Sequence, residues 1–358
     1  VSERQRADLT PPVTTPWPQG SATGVGSLPG TAVREAVQLI VDELVDFPHL
    51  PELPSRGPGS DMVGRALGLL PDFPAAWGPT GWALTDRPGH DTRAAVSFLG
   101  EDLDVVEELF DGWAGPFKVQ VCGPWTLAAS VELRSGRKML ADPGACRDLH
   151  QGYAESLAAH LRSVASRLPG ASLVVQIDEP GLPFVLDGEV PTPSGLTRIA
   201  AVDQQVVLAV LAAATGAVAD HAATGVHCCA ASPPLRLLQQ LHQHRDTGRP
   251  GLDFASVDVS LLAERDDDAV GDAVEAGLEM FFGIATAGGA GAPAVDLHAA
   301  DLRGRWHRIG LPAEQLSRIV VTPSCGLSGA ASTAGARAEL VICRQVARQI
   351  RDDPEGAG

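Results

Sequence analysis

Short apolar runs recur along this chain with helix-length intervals between most of them, and that alternation narrows the folds open to it. The runs are ATGVGSLP (22–29), DFPHLPEL (46–53), FKVQVCGP (117–124), SLVVQIDEP (172–180), TGVHCCA (224–230), FASVDVSL (254–261), EMFFGIAT (279–286) and RIVVTPSCG (318–326). Between the first two, Val33, Ala36, Val37, Ile40, Val41 and Leu44 fall on one helical face. Leu157, Leu161, Val164 and Leu168 do the same, as do Leu340, Cys343 and Val346 near the end. Strands that alternate with helices pair in parallel, and eight such units predict an α/β fold closed into a (β/α)8 TIM barrel. Residues 1–20, polar and Pro-rich, read as an N-terminal arm, and 21–358 as one barrel with no internal repeat. The stretch 54–116, long and with scattered Gly, Pro and Trp, reads as containing an insertion.

Composition removes several function classes. The 27 Lys and Arg against 44 Asp and Glu give a formal charge of -17, and Lys118 and Lys138 are the only lysines. Such a surface repels phosphate backbones and anionic lipid, so neither nucleic acid nor membrane is an expected partner. No apolar run approaches the roughly 20 residues of a membrane span. The opening VSERQRADLT has no apolar core and does not read as a signal peptide, so a cytoplasmic enzyme is the expectation. Six cysteines in so long a chain do not suggest a disulfide framework.

Parallel barrels carry their active sites at the carboxyl ends of the strands. There this sequence gathers Ser27, Glu52, Asp178, His227, Cys229, Asp258 and Cys325. In a strand, His227 and Cys229 project to one face and Cys228 to the other. An imidazole and a thiolate together are half of a zinc site, and Cys325 at the end of the last run offers a second sulfur. A cysteine by itself is commonly just buried, and Cys122, Cys146, Cys228 and Cys343 are assigned to packing. In QIDEP, Gln176 and Asp178 share a face. An inward carboxylate there holds an ammonium group or acts as a general base; the competing reading is a helix cap or a structural ion pair.

GVGSLP, CGPWTLA, QIDEP, HCC and PSCGL, in this order, resemble the catalytic barrel of cobalamin-independent methionine synthase, in the superfamily shared with uroporphyrinogen decarboxylase. The resemblance spans about residues 20–350 and is to the short, core-only members. It implies a homocysteine S-methyltransferase of methionine biosynthesis, with zinc held by His227, Cys229 and Cys325. The family's fourth ligand is a glutamate, for which this chain offers Asp258. It further implies that Asp178 and Glu52 bind the amino group of homocysteine, and that the segment of Ser27 receives the carboxylate. Zinc coordination would deprotonate the thiol, which then attacks a methyl group in line.

Two departures concern the methyl donor. Ser130 stands where the family places an aromatic that stacks on folate, and the seventh run ends at Thr286 and Ala287 without the family's histidine. His298 lies further on, on the expected next helix. Methylcobalamin, a corrinoid protein or another activated methyl compound therefore stands beside methyltetrahydrofolate as donor. Two other classes remain open: a lyase like uroporphyrinogen decarboxylase, and a binding protein that keeps zinc and amino acid but has lost catalysis.

Overall fold

The computed structural model describes residues 15–284 and 292–356. The helix expected after the first run is α1 (Val33–Glu43), with Val33, Ala36, Val37 and Ile40 buried. The predicted insertion contains α2 (Met62–Leu69), whose N-terminal Gly64 N–H is capped by Asp61. An antiparallel hairpin, β1 (Ala75–Gly78) and β2 (Gly81–Leu84), and the long α3 (His90–Leu109) complete it.

Six parallel strands follow, each beside its sequence neighbour. They are β3 (Pro116–Cys122), β4 (Ser172–Asp178), β5 (Ala222–Cys228), β6 (Phe254–Asp258), β7 (Glu279–Ile284) and β8 (Val320–Pro323). Between β3 and β4 run α4 (Pro124–Ser130) and α5 (Pro143–Arg167), the latter started by Asp142 accepting from Gly144 and Ala145 N–H. Next come α6 (Leu182–Asp187), α7 (Gln204–Gly216), α8 (Leu235–Gln243) and α9 (Asp267–Glu275). Then α10 (Ala292–Ile309), α11 (Ala313–Leu316) and α12 (Thr333–Asp352) close the described chain. The result is an α/β fold around a curled six-stranded sheet.

The first two expected strands take a different form. Among the described residues, 22–29 and 46–53 make only isolated parallel bridges, Ala22 with Val321, Ser27 with Glu52 and His49 with Lys118. Proline explains it: Pro29, Pro48 and Pro51 have no N–H to give a ladder. The bridges nonetheless link both sheet edges. Thr23 N–H donates to Val321 O at β8, and Leu50 N–H to Lys118 O at β3. Between the two segments, Leu28 N–H donates to Glu52 O and Glu52 N–H to Gly26 O.

Strand residues of one parity pack under the helices. Of the other parity, Val174, Phe254, Phe281 and Val320 join Trp17 and Phe47 in a separate inner cluster. Trp17, from the segment expected to be an arm, stacks on Phe47 at 5.7 Å and meets Phe281 edge-on at 5.1 Å. Phe254 stacks on Phe281 at 4.1 Å. Gly225 makes room for this cluster, since a Cβ there would lie 2.4 Å from the Phe254 ring.

Candidate functional site

Beyond the aromatic cluster the inner face of the sheet turns polar. Register sets Gln120 beside Gln176, and in the next row Cys122, Asp178, His227 and Ser256 run across β3 to β6. Each of these side chains belongs to the parity that points away from the helices.

His227, third in this row, is the member that meets the thiols. Its Nδ1 lies 2.9 Å from Ser256 Oγ, and its buried Nε2 has no hydrogen-bond partner. The Sγ atoms of Cys229 and Cys325 stand 3.5 Å apart. The hydrogen bond with Cys229, and then the His227 imidazole, hold the Cys325 thiol well below its ordinary range, while the same contact pushes Cys229 up. Two thiolates on one tetrahedral zinc, each about 2.3 Å from it, sit roughly 3.8 Å apart, so this spacing and the free imidazole nitrogen suit that metal. Among the described residues, no group of three or more His, Cys, Asp or Glu side chains is already arranged as a metal cluster. His227, Cys229 and Cys325 are thus not gathered as a ready set, and Asp258 Oδ1 accepts from Ser260 N–H and Oγ–H, capping the turn after β6.

Glu52 and Asp178 form the second part of the site. Both are buried, and burial is the main force raising each carboxyl, with mutual repulsion adding to it at Asp178. Gln120 Nε2 donates to Glu52 Oε1 at 3.1 Å and to Leu50 O at 2.7 Å. Gln176 Nε2 donates to Asp178 Oδ1 at 2.7 Å and to Val25 O at 3.0 Å. Lys118, fully buried, donates to Val25 O at 2.8 Å; burial pulls its ammonium down to about 8 against the pull of Asp178 and Glu52. Arg65 lies 3.8 Å from Glu52 and is itself bound to buried Asp102, which also takes Arg56 at 2.8 Å.

The remaining expected residues sort by position. Ser27 meets the loop after β8: its carbonyl accepts from Leu327 N–H at 2.7 Å, and its Oγ lies 3.4 Å from Ser328 N. Gly326 packs closely there: a Cβ would fall 2.1 Å from Ser27 Oγ, which would have to rotate away. His298 lies on α10 and lines a cleft of about 370 Å³ with Ser260, Ile284 and Arg305. Ser130 ends α4, its carbonyl accepting from Lys138 at 2.9 Å. Thr286 lies outside the described residues. Sequence reading passed over Lys118, Gln120 and Arg65. The first two had a signal, being polar residues of equal parity inside the apolar run FKVQV.

Glu179, beside Asp178, faces the other way and secures α4. Its carboxylate accepts from the N–H groups of Trp125 and Thr126 and from Thr126 Oγ–H, at 2.9, 2.8 and 2.7 Å.

No protein-family model and no curated protein sequence matches the chain. Solved structures do resemble it. A B12-independent methionine synthase from Shewanella sp. W3-18-1, in complex with selenomethionine, is 13% identical with TM-score 0.57, covering 94% of this chain and 99% of that one. An intracellular xylanase of Thermoanaerobacterium saccharolyticum is 12% identical with TM-score 0.38, covering 81% and 88%. At such identity the first of these shows a common fold. No helix among the described residues is long and apolar enough to cross a membrane.

Proposed function

We propose that this chain is a zinc-dependent methyltransferase that methylates the thiol of homocysteine to give methionine. The observation that carries the reading is the meeting of two unlike half-sites. A paired thiol set with a free imidazole nitrogen lies one strand from buried Asp178, which in turn feels the charge of buried Glu52, and an aminothiol is the ligand class that offers a group to each half. The motif resemblance, and the selenomethionine held by the Shewanella protein of like fold, support methyl transfer as the reaction.

In this reading the bridged segments 22–29 and 46–53 are the first two members of an eight-stranded barrel within residues 21–358. Its active face is then the carboxyl end of the strands. His227, Cys229 and Cys325 would hold the zinc, and Asp258, whose Oδ1 accepts from Ser260, is the carboxylate offered as a fourth ligand. When bound, zinc supplies the positive charge that favours a thiolate at neutral pH. Asp178 and Glu52 hold the substrate ammonium, and the backbone around Ser27 receives its carboxylate. An ammonium between two carboxyls whose charge burial disfavours restores their ionised form, so binding and charge balance reinforce each other. The thiol loses its proton, its sulfur bonds to the methyl carbon, and the bond from methyl to donor breaks with its electron pair leaving on the donor.

The donor reading rests on where the chain departs from the family it resembles. Ser130 offers no ring to stack on folate, and a folate amine leaves poorly unless an acid protonates it, a service worth about a hundred- to ten-thousand-fold. Methylcobalamin needs no such acid. The test is homocysteine methylation by zinc-loaded protein with each donor under matched conditions, expected to be faster with methylcobalamin. No methylation from any donor, with zinc and homocysteine still bound, would leave a binding protein. Efficient turnover of methyltetrahydrofolate that is abolished in His298→Ala would return the donor to folate.

A further inference from the structure

The hydrogen bond between Ser256 and His227 decides which imidazole nitrogen is free. The inward positions of β6 run Phe254, Ser256, Asp258, so Ser256 stands directly above the aromatic cluster, where an apolar residue would pack. It is fully buried, and its Oγ lies 2.9 Å from His227 Nδ1 across the parallel pair β5 and β6, in register with it. Burying a hydroxyl costs stability unless it is hydrogen-bonded, and Ala or Val would avoid that cost at this place. The serine is explained by what it does for the imidazole.

Turning the ring over would set a carbon against Ser256 Oγ and forfeit the bond, so the ring orientation is held. That leaves Nε2, buried and without a hydrogen-bond partner, as the nitrogen open to a ligand, and the imidazole already acts on the Cys325 thiol. A ring nitrogen that takes a metal carries no proton, so the neutral ring then keeps its hydrogen on Nδ1 and donates it. A hydroxyl oxygen accepts that N–H without bringing a further negative charge to a region that holds buried Asp178 and Asp258. We infer that Ser256 is a positioning residue: its Oγ accepts from His227 Nδ1–H and so presents Nε2 as the preoriented ligand of the metal site, on which the two thiols close. The inference rests on the zinc reading of His227, Cys229 and Cys325, but on neither homocysteine nor methyl transfer. One ligand is thus already aimed in a set that is not yet gathered.

The measurements are zinc affinity of the full chain by chelator competition and the visible absorption of its cobalt(II) form, neither of which depends on activity. Losing the partner of a metal-binding histidine's other nitrogen costs about ten- to a hundredfold in affinity, so Ser256→Ala should bind zinc that much more weakly. Its cobalt band should shift as well, and Ser256→Thr, which keeps the hydroxyl, should restore both. Ser256→Val has the shape of threonine without the hydroxyl, so Thr against Val repeats the comparison should the alanine variant fold poorly. Unchanged affinity in Ser256→Ala would overturn the inference. So would equal weakening in Thr and Val, which would make Ser256 a matter of packing. An unaltered protein that binds no zinc would overturn the proposed metal site, and this inference with it. Zinc binding that depends on Ser256, with no methylation from any donor, would overturn the proposed reaction alone.

Discussion

Cys228 and Cys229 are chemically identical neighbours with opposite surroundings. Cys228 is fully buried as the last residue of β5, its thiol pushed up to about 12 by burial, while Cys229 reaches Cys325. Cys229→Ser and Cys325→Ser should therefore lose most bound zinc by elemental analysis, and Cys228→Ser should keep it. Equal loss in all three would defeat the alternation argument. Asp178→Asn leaves Gln176 a partner but removes the charge that meets the ammonium. Breaking one side of a buried pair costs about 3–5 kcal/mol, so homocysteine affinity should fall well over tenfold with zinc content intact. Unchanged affinity in a titration would make Asp178 structural. Strand parity alone brought Asp178, His227 and the thiols within sight in the sequence. It could not show Asp258 turning to Ser260, because that depends on a turn after the strand.

At the scale of elements, β3 to β8 follow the apolar runs closely, since each is bounded by Gly, Pro or polar residues. The hairpin of β1 and β2 was not legible, because strands of four residues carry too little pattern. Helix α4 depends on a residue outside itself. Glu179→Ala would strand the N–H groups of Trp125 and Thr126, and a cost of about 2–4 kcal/mol should appear in the urea midpoint. A loss below about 0.5 kcal/mol would mean solvent reaches that helix end. Helix α5 carries a pH dependence. Burial holds His160 down to about 4, against 6.5 as a free side chain. Its contribution is then fully present above 6.5 and is lost as pH falls toward 4, because the unfolded chain takes up the proton first. His160→Gln should flatten this acid limb by up to roughly 3 kcal/mol between pH 7 and 4, read from denaturant curves at each pH. Parallel curves for both proteins would contradict it.

Over the whole molecule, the inner aromatic cluster joins elements distant in sequence. Composition hid Trp17, since one aromatic in a Pro-rich, polar segment does not alter its average. Trp17→Ala removes rings packed on Phe47, Phe254 and Phe281, and should cost about 3–5 kcal/mol in thermal or denaturant unfolding. A neutral effect would mean the cluster closes up without it. The meeting of Ser27 with the loop after β8 has a further consequence. Ser27 and Ser328 are 301 residues apart in the chain, and Glu43 of α1 is held by Arg344 of α12 across the same span. Contacts of such separation pay the largest loop-closure entropy and form late. During synthesis, Ser27 and Glu52 leave the ribosome long before Cys325 exists. The contact of Ser27 with the loop that carries Cys325 therefore waits until nearly the whole chain has been made.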